Sequence, residues 1–376
     1  MSTLRVADLF CGTGGFSKGF EKAGGYEVVF GVDIKADSVA TFSANHPRAL
    51  AVCDDIRRLR VRSLARSPQL QDGIDVVIAG PPCQGFSSLR PFRSINEDDP
   101  RNNLFEQLAV FVKFFRPRFV VFENVVGLTH HKEGAVLRSI ASSLEGLGYA
   151  TSTRVLNAVH YGVPQKRERV VILAQRGIVR PCFPDPTHAF SGKTMGGKYA
   201  DIQLPILQSH LPPAVTVGQA IDDLPTLAAG ESSEQYDDKR SISGYAIERR
   251  NGCTALTAHS STKHTSRMIE IIKKAGANRW ALPSGLTTSG FSSSYSRLRA
   301  EEPSTTLTVN FVHPASNRCI HPTQDRALTP REGARIQSFD DDFAFRGTRT
   351  QVVKQIGEAV PPLLGRAIAE SLLTQV

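Results

Sequence analysis

Short apolar runs alternate with stretches of helical spacing through the first 178 residues of the chain. The runs that are typical of buried strands cover 4–10, 28–32, 49–52, 74–79, 119–122, 151–157 and 169–174. The stretches that predict helices cover 15–23, 36–45, 103–115 and 134–147. Strands that alternate with helices predict an α/β fold, with a mostly parallel sheet and helices on both of its faces.

The pattern changes after this first half. Residues 179–325 are rich in Pro, Ser, Thr and Gly, and Ser266–Lys274 is their clearest helical stretch. Helical spacing returns at Thr329–Ser338 and again over 352–373. We therefore predict two domains, a larger one of residues 1–178 completed by 326–376 and a smaller, irregular one of residues 179–325.

Composition narrows the function classes. The chain has 376 residues, 40% of them hydrophobic, which is ample for a sizeable core. Its net charge of +9 favours a polyanionic partner. Charge alone does not distinguish DNA, RNA and an anionic surface. We expect a soluble, cytoplasmic protein, since we find neither a signal peptide nor an apolar run of membrane-spanning length. The cysteines are scattered without a C-x-x-C pair, so we expect no metal site; they are residues 11, 53, 83, 182, 253 and 319.

The segment Gly80–Ser87 carries the strongest chemical signal. It follows the apolar run 74–79, and Pro81 and Pro82 fix the backbone just before the thiol of Cys83. A cysteine on a rigid turn at the end of a strand is suited to nucleophilic catalysis. The alternative is a buried structural cysteine, which is the commoner role of an isolated cysteine.

Glycines follow the first predicted strand, at Gly12 and Gly14. Glycines there let the backbone approach a ligand at a helix N-terminus, but position 17 is Ser, so the spacing disfavours a dinucleotide. Asp33 and Ile34 end the second strand, where a carboxylate can accept from a ribose diol and an apolar side chain can cover an adenine.

A second acidic–apolar pair, Asp55 and Ile56, follows the third strand and suits an exocyclic amine and its ring. Each signal by itself is commonly a solvated carboxylate. Three such signals in succession on one sheet favour an adenosyl ligand.

Two further motifs carry charge. Glu123 ends a buried strand, and partial desolvation there would raise its pKa and make it a proton donor near neutral pH. A capping or salt-bridging role is the alternative.

Arg167 and Arg169 would share one face of a strand by alternation, where two guanidiniums can hold a phosphate, a carboxylate or a carbonyl oxygen. A basic surface strand is the alternative.

In this order, the motifs resemble those of C5-specific DNA cytosine methyltransferases of the bacterial restriction–modification type. The resemblance covers nearly the whole chain. The matching segments are Asp8–Gly15, Gly80–Ser87, Asn103–Phe105, Glu123–Val125, Gln165–Arg169, Pro303–Thr308, Thr329–Phe339 and Gln355–Pro362. The resemblance implies a Rossmann-like, S-adenosylmethionine-dependent methyltransferase fold with a target-recognition domain in 179–325.

The resemblance also implies a mechanism. A cytosine is flipped out of the duplex, and the Cys83 thiolate adds to its C6. Glu123 holds and protonates N3, while Arg169, with Arg167 nearby, binds O2 and the surrounding phosphates. C5 then takes a methyl group from S-adenosyl-L-methionine, and residues 84–101 would close over the DNA. Cys11 is expected to pack in the core.

The resemblance and the residue patterns together predict one set of cofactor-binding residues. Its members are Phe10, Gly12, Gly14, Asp33, Ile34, Asp55, Ile56, Pro82, Leu104, Glu358 and Val360. Glu358 is a departure, because the family has Asn at this position. A carboxylate cannot donate as an amide does, so we expect weaker cofactor binding or a compensating cation.

The implied partner is double-stranded DNA, with no membrane. We expect a monomer, and a cognate restriction endonuclease that acts on the same site without a stable complex, in the nucleoid of a prokaryote or encoded by a phage or plasmid. Side chains suited to contacting DNA in 179–325 are His259, His264, Arg267, Arg279, Trp280, Ser292 and Arg297. Gly285–Gly290 is either a recognition loop or a linker.

Alternatives remain at this stage. A tRNA cytosine-C5 methyltransferase is the nearest, although the RNA-acting branch is generally more compact in the region of 179–325. A catalytically impaired DNA-binding relative is supported by Glu358 and opposed by Cys83, Glu123 and Arg169. A dinucleotide oxidoreductase fails on the glycine spacing, and a cysteine hydrolase lacks a well-placed histidine.

Overall fold

The computed structural model describes residues 3–82, 104–192, 210–237, 242–283, 285–287 and 292–376. Cys83, the predicted closing loop 84–101 and Asn103 lie outside the described residues, as does the second half of Gly285–Gly290. The chain divides into two compact units. The first contains Met1–Asn157, Glu168–Leu211 and Pro362–Val376, and the second contains Ala158–Arg167 and Pro212–Pro361.

A large sheet organises the first unit. Its strands are β1 (Leu4–Leu9), β2 (Tyr26–Asp33), β3 (Leu50–Cys53), β4 (Val76–Ala79), β5 (Phe119–Val125), β6 (Tyr149–Asn157) and β8 (Glu168–Arg176). Within the described ranges they are ordered β3-β2-β1-β4-β5-β8-β6. β3, β2, β1, β4 and β5 are mutually parallel, whereas β8 runs antiparallel to both of its neighbours.

Helices follow most of the parallel strands. They are α1 (Gly15–Ala23), α2 (Ala36–Asn45), α3 (Val61–Leu64), α4 (Phe105–Phe115) and α5 (Ala135–Gly146), to which the chain terminus adds α11 (Pro362–Leu373). α1 and α11 cross closely at glycines, because a Cβ on Gly19 would lie 2.4 Å from the Pro362 carbonyl oxygen. This close crossing fixes the helix that follows the glycine loop.

The core of the first unit lies along the central strands. Val77, Val120 and Val170 are completely buried, as expected for strands covered on both faces. This is why the central strands appear in the sequence as continuous apolar runs rather than as alternating ones.

The second unit consists of short elements. Its helices are α6 (Val217–Ile221), α7 (Gly244–Arg250), α8 (Ser266–Lys273), α9 (Pro330–Ile336) and α10 (Arg349–Glu358). Two small parallel pairs accompany them, β7 (Gln165–Lys166) with β10 (Ser304–Thr305), and β9 (Ser296–Arg297) with β11 (Arg318–Ile320). α9 begins at a capping box, in which Thr329 and Glu332 each accept from the other's backbone N–H.

This division differs from the predicted domain boundaries, because residues 326–361 belong to the second unit. The reason is a set of long-range contacts. Arg335 on α9 pairs with Asp223 and Asp341, with side chains fully buried. Ile336 and Phe339 share a hydrophobic core with Val217 of α6. Across the described ranges, no helix combines the length and apolar content that crossing a bilayer requires.

Candidate functional site

The candidate site of the first unit lies where four parallel strands end. β2, β1, β4 and β5 are neighbours in that order, so their carboxyl ends meet at one edge of the sheet. The predicted glycine loop follows β1, Asp33 ends β2, Gly80–Pro82 follows β4 and Glu123 lies near the end of β5. The topology therefore brings the sequence-predicted residues of this unit to one edge.

The glycine loop turns sharply after β1. Phe10, Gly12 and Gly14 all have positive φ, and the Cys11 N–H donates to the Val32 carbonyl across 2.9 Å. Gly14 is required twice over, because its φ is 84° and a Cβ would lie 2.6 Å from His46 Nε2. Cys11 is buried, as predicted, and burial raises the pKa of its thiol well above the ordinary value.

Asp33 holds this loop from the neighbouring strand. Its Oδ2 accepts the Gly12 N–H at 3.0 Å, and its Oδ1 accepts the Lys35 N–H at 2.9 Å. Ile34, immediately after it, is 67% exposed. A fixed carboxylate beside an exposed apolar side chain suits a ribose hydroxyl and an adenine ring, and the contacts predicted for Asp33 and Ile34 with a cofactor stay predictions.

Thr13 provides an independent sign of a ligand in this loop. Its side chain is 3% exposed, and its Oγ1 has no hydrogen-bond partner among the described residues. Because a buried unpaired hydroxyl is costly, such groups usually mark a missing partner. Sequence reasoning missed Thr13, although it lies between the two glycines that were singled out.

The Asp55 carboxylate is already hydrogen-bonded and the Ile56 side chain is buried, so both are less available to a ligand than the sequence predicts. The Asp55 carboxylate accepts from Arg57 Nε at 2.9 Å and from the Arg57 backbone N–H at 3.0 Å. This hydrogen bonding lowers the pKa of Asp55 to about 2. Ile56 is 5% exposed and packs in the core. The contacts predicted for these two side chains with a cofactor stay predictions.

The other predicted cofactor residues differ in how deeply they are buried, and they belong to both units. Phe10 is half-buried against the core, Leu104 is buried in it and Pro82 is exposed. Glu358 ends α10 with an exposed side chain, and Val360 is half-buried; both belong to the second unit. Their roles stay predictions.

Glu123 and Arg169 form an ion pair. Arg169 Nε lies 2.8 Å from Glu123 Oε1, and both side chains are mostly buried. The pair exists because β8 runs antiparallel beside β5, which places Arg169 opposite Val125. Burial lowers the pKa of Arg169, and the charge of Glu123 opposes that shift.

The segment before Cys83 lies against this pair. A Cβ built on Gly80 would lie 3.5 Å from Glu123 Oε2, so the backbone after β4 passes close to the carboxylate. Asn124 Nδ2 donates to the Pro81 carbonyl across 3.2 Å. The role of Asn124 in fixing the proline turn was not predicted, although it follows Glu123 directly in the sequence.

Arg167 corrects one expectation. The sequence predicts a continuous strand with Arg167 and Arg169 on one face, but the strand is interrupted at Arg167, between β7 and β8. Its guanidinium is buried and donates to the carbonyls of Leu307, Gly357 and Glu358 at 3.2–3.5 Å. The alternation argument was therefore wrong, because β7 leaves the large sheet to pair with β10.

Comparison with known proteins decides the family. The C-5 cytosine-specific DNA methylase family matches residues 4–374. The chain belongs to this family. The methylase is 35% identical over 374 residues to the type II methyltransferase M1.HphI of Haemophilus parahaemolyticus, covering 99% of this chain and 87% of that one. It is 34% identical to M.AgeI of Thalassovita gelatinovora, covering 98% and 99%.

The fold is confirmed as well. The methylase superposes on a solved structure described as a DNA modification methyltransferase encoded within an E. coli prophage, with a TM-score of 0.73, 24% identity and 99% of both chains covered. The predicted α/β class with a large, mostly parallel sheet is correct, and so is the predicted enzyme class, DNA (cytosine-5-)-methyltransferase.

The predicted DNA-contacting side chains of the methylase separate into two groups. His259 is buried between Thr329 Oγ1 and the Pro225 carbonyl, and His264 Nε2 accepts the Ala327 N–H. Arg297 donates to the His321 and Gln324 carbonyls at 2.7 Å. These three are engaged within the unit. Arg267, Trp280 and Ser292 are exposed, and Arg279 is half-buried.

Proposed function

We propose that the methylase transfers a methyl group from S-adenosyl-L-methionine to C5 of a cytosine within a specific short sequence of double-stranded DNA. The observation that carries this proposal is the Glu123–Arg169 pair beside the turn that leads into Cys83. A carboxylate, a guanidinium and a thiol are the groups that addition to a flipped cytosine requires.

Cys83 supplies the nucleophile in this proposal. Its thiolate adds to C6 of the flipped base, which forms an S–C6 bond and makes C5 nucleophilic. After C5 has been methylated and has lost its proton, β-elimination breaks the S–C6 bond and frees Cys83. The structure does not describe Cys83, so its support comes from the geometry of Gly80–Pro82 and from the family match.

Glu123 and Arg169 act on the pyrimidine ring. Glu123 holds and protonates N3, which accepts the electron density released by addition at C6. Arg169, positioned by its ion pair with Glu123, binds O2 and stabilises developing negative charge there. The buried guanidinium of Arg167 donates to carbonyls of the second unit. Its predicted contact with the base stays a prediction.

The residues of the glycine loop fit an adenosyl cofactor. Gly12 and Gly14 allow close approach of the backbone, and the Thr13 hydroxyl, which has no hydrogen-bond partner in the part of the chain that the structure describes, can bind the cofactor. Asp33 accepts from the ribose hydroxyls and Ile34 covers the adenine. When bound, S-adenosyl-L-methionine supplies the electrophilic methyl group. The protein's own task is to hold and orient it at the strand edge that also carries Glu123.

The protein is further proposed to act as a monomer in the cytoplasm, on the nucleoid. A restriction endonuclease would recognise the same sequence without forming a stable complex with it. Both statements rest on the family and on its type II relatives.

Incubation with tritiated S-adenosylmethionine and mixed plasmid DNA, followed by bisulfite sequencing, tests the proposal. We expect 5-methylcytosine at one short recurrent sequence with the native chain and none with Cys83→Ser. Cys182→Ser is the matched control, because Cys182 is exposed, lies outside the predicted sites and should leave the label intact. Label in tRNA but not in DNA would show that the substrate is RNA. No label in either would contradict the proposal.

A further inference from the structure

The chain's single tryptophan, Trp280, lies on the surface of the second unit. Its side chain is 75% exposed, which makes it the most exposed large aromatic residue described in this unit. A lone exposed apolar side chain is ordinary on a protein surface and carries no meaning by itself. Its surroundings are what require an explanation.

The turn that carries Trp280 is firmly anchored. The Arg318 guanidinium donates to the Ala277 carbonyl at 2.6 Å, and the Arg297 backbone N–H donates to the Gly276 carbonyl at 2.9 Å. Beyond the tryptophan, Leu282 is buried and its N–H donates to the Arg279 carbonyl. The indole is thus presented by a fixed backbone, and a rigid aromatic side chain loses little entropy when it binds a partner.

The segment that precedes Trp280 in the chain is basic. Exposed Lys263, Arg267, Lys273 and Lys274 lie on or beside α8, among which the one exposed acidic residue described is Glu270. The Arg279 guanidinium lies 5.6 Å from the centre of the Trp280 ring, within cation–π distance. Exposed basic side chains together with an exposed aromatic residue form a combination that binds nucleic acid, with phosphates on the cations and the ring against a base or sugar.

Hydrogen bonds within the second unit reduce the number of predicted residues that can contact DNA. His259, His264 and Arg297 hydrogen-bond within the unit, so none of them presents a readily available group to DNA. Of the predicted contact residues that the structure describes, Arg267, Arg279, Trp280 and Ser292 remain, and the first three lie in the segment 263–283. Its positive charge matches a DNA duplex, in keeping with the net charge of +9 of the chain.

We propose that Trp280 packs directly against the DNA duplex, with Arg267, Lys273 and Lys274 on adjacent phosphates, and so determines the affinity for DNA. The proposal rests on the proposed function, since the partner that Trp280 contacts is the DNA duplex that the protein methylates. It assigns Trp280 to binding and not to the chemical step.

Trp280 reports on its own contact, because it is the source of all tryptophan emission. The full chain is titrated with a duplex oligonucleotide containing the sequence found by bisulfite sequencing. We expect the emission to be quenched in step with binding measured by fluorescence anisotropy of a labelled duplex. Trp280→Ala should raise the KM for DNA about tenfold or more with a much smaller change in kcat, while Trp280→Phe, which keeps a stacking ring, should lose about threefold or less.

Two controls separate the outcomes. Ile247→Ala removes another exposed apolar side chain of the same unit, 59% exposed, and should leave the KM for DNA unchanged. Lys273→Ala with Lys274→Ala should reduce the slope of log K against log salt by about 1–2. If the native chain methylates the duplex while its emission and the KM of Trp280→Ala do not change, the inference is wrong. If the native chain methylates no DNA, the proposed function itself has failed.

Discussion

Asp8 is a buried acid directly beneath the glycine loop. It lies on β1, is 2% exposed and accepts a hydrogen bond of 2.6 Å from Ser17 Oγ in the first turn of α1. Burial raises the pKa of Asp8 from 3.8 to about 7, the charge of Asp33 raises it further and the Ser17 hydroxyl opposes both. The predicted perturbation is Asp8→Asn, which is neutral at every pH and keeps an acceptor for Ser17.

The sign follows from proton linkage. A carboxyl whose folded pKa lies above its unfolded value contributes stability that is complete below about pH 4 and is lost as the pH rises through about 7. At about 1.4 kcal/mol per pKa unit, the native chain loses roughly 2–3 kcal/mol relative to Asp8→Asn between about pH 5 and pH 8. Any constant cost of the amide cancels in this comparison.

The assay is the thermal midpoint of both chains across that pH range, measured without ligand. The difference between them should move by about 5–10 °C against the native chain, given 2–4 °C per kcal/mol for a unit of this size. Asp72→Asn is the control, because the Asp72 side chain is 70% exposed and should leave the profile unchanged. Parallel profiles for the native chain and Asp8→Asn would refute the reasoning.

Two other substitutions test the second unit. Arg335→Met leaves the buried carboxylates of Asp223 and Asp341 short of a cation, so we expect a loss of about 3–5 kcal/mol, whereas Arg299→Met at an exposed ion pair should cost less than about 1 kcal/mol. Equal losses in urea unfolding would contradict this. Glu358→Asn should tighten binding of S-adenosylmethionine in calorimetry, because the substitution removes a negative charge and adds an amide donor; an unchanged Kd would remove Glu358 from the explanation of cofactor affinity.

The sequence predicted the parallel part of the sheet well for a physical reason. Strands buried on both faces are continuous apolar runs, and the residues just after them, such as Gly12 and Asp33, are marked by the change to glycine or carboxylate. Local pattern is sufficient there because each strand and its following turn are contiguous in the chain.

Long-range pairings could not be predicted in this way. The insertion of β8 between β5 and β6 creates the Glu123–Arg169 ion pair, and no local pattern specifies it. The break at Arg167 depends on β7 pairing with β10, about 140 residues later. The compact units do not divide the chain at 326 for the same reason, since Arg335 pairs with buried Asp223 more than a hundred residues earlier.

Trapping the covalent intermediate tests the central claim most directly. The duplex carries 5-fluorocytosine at the methylated position, so that after methyl transfer C5 has no proton to lose and β-elimination cannot occur. With S-adenosylmethionine present, we predict a stable protein–DNA adduct whose mass includes the methyl group and whose linkage maps to Cys83 by peptide mass spectrometry. A native chain that methylates ordinary cytosine but gives no adduct, or an adduct at a different residue, would contradict the account.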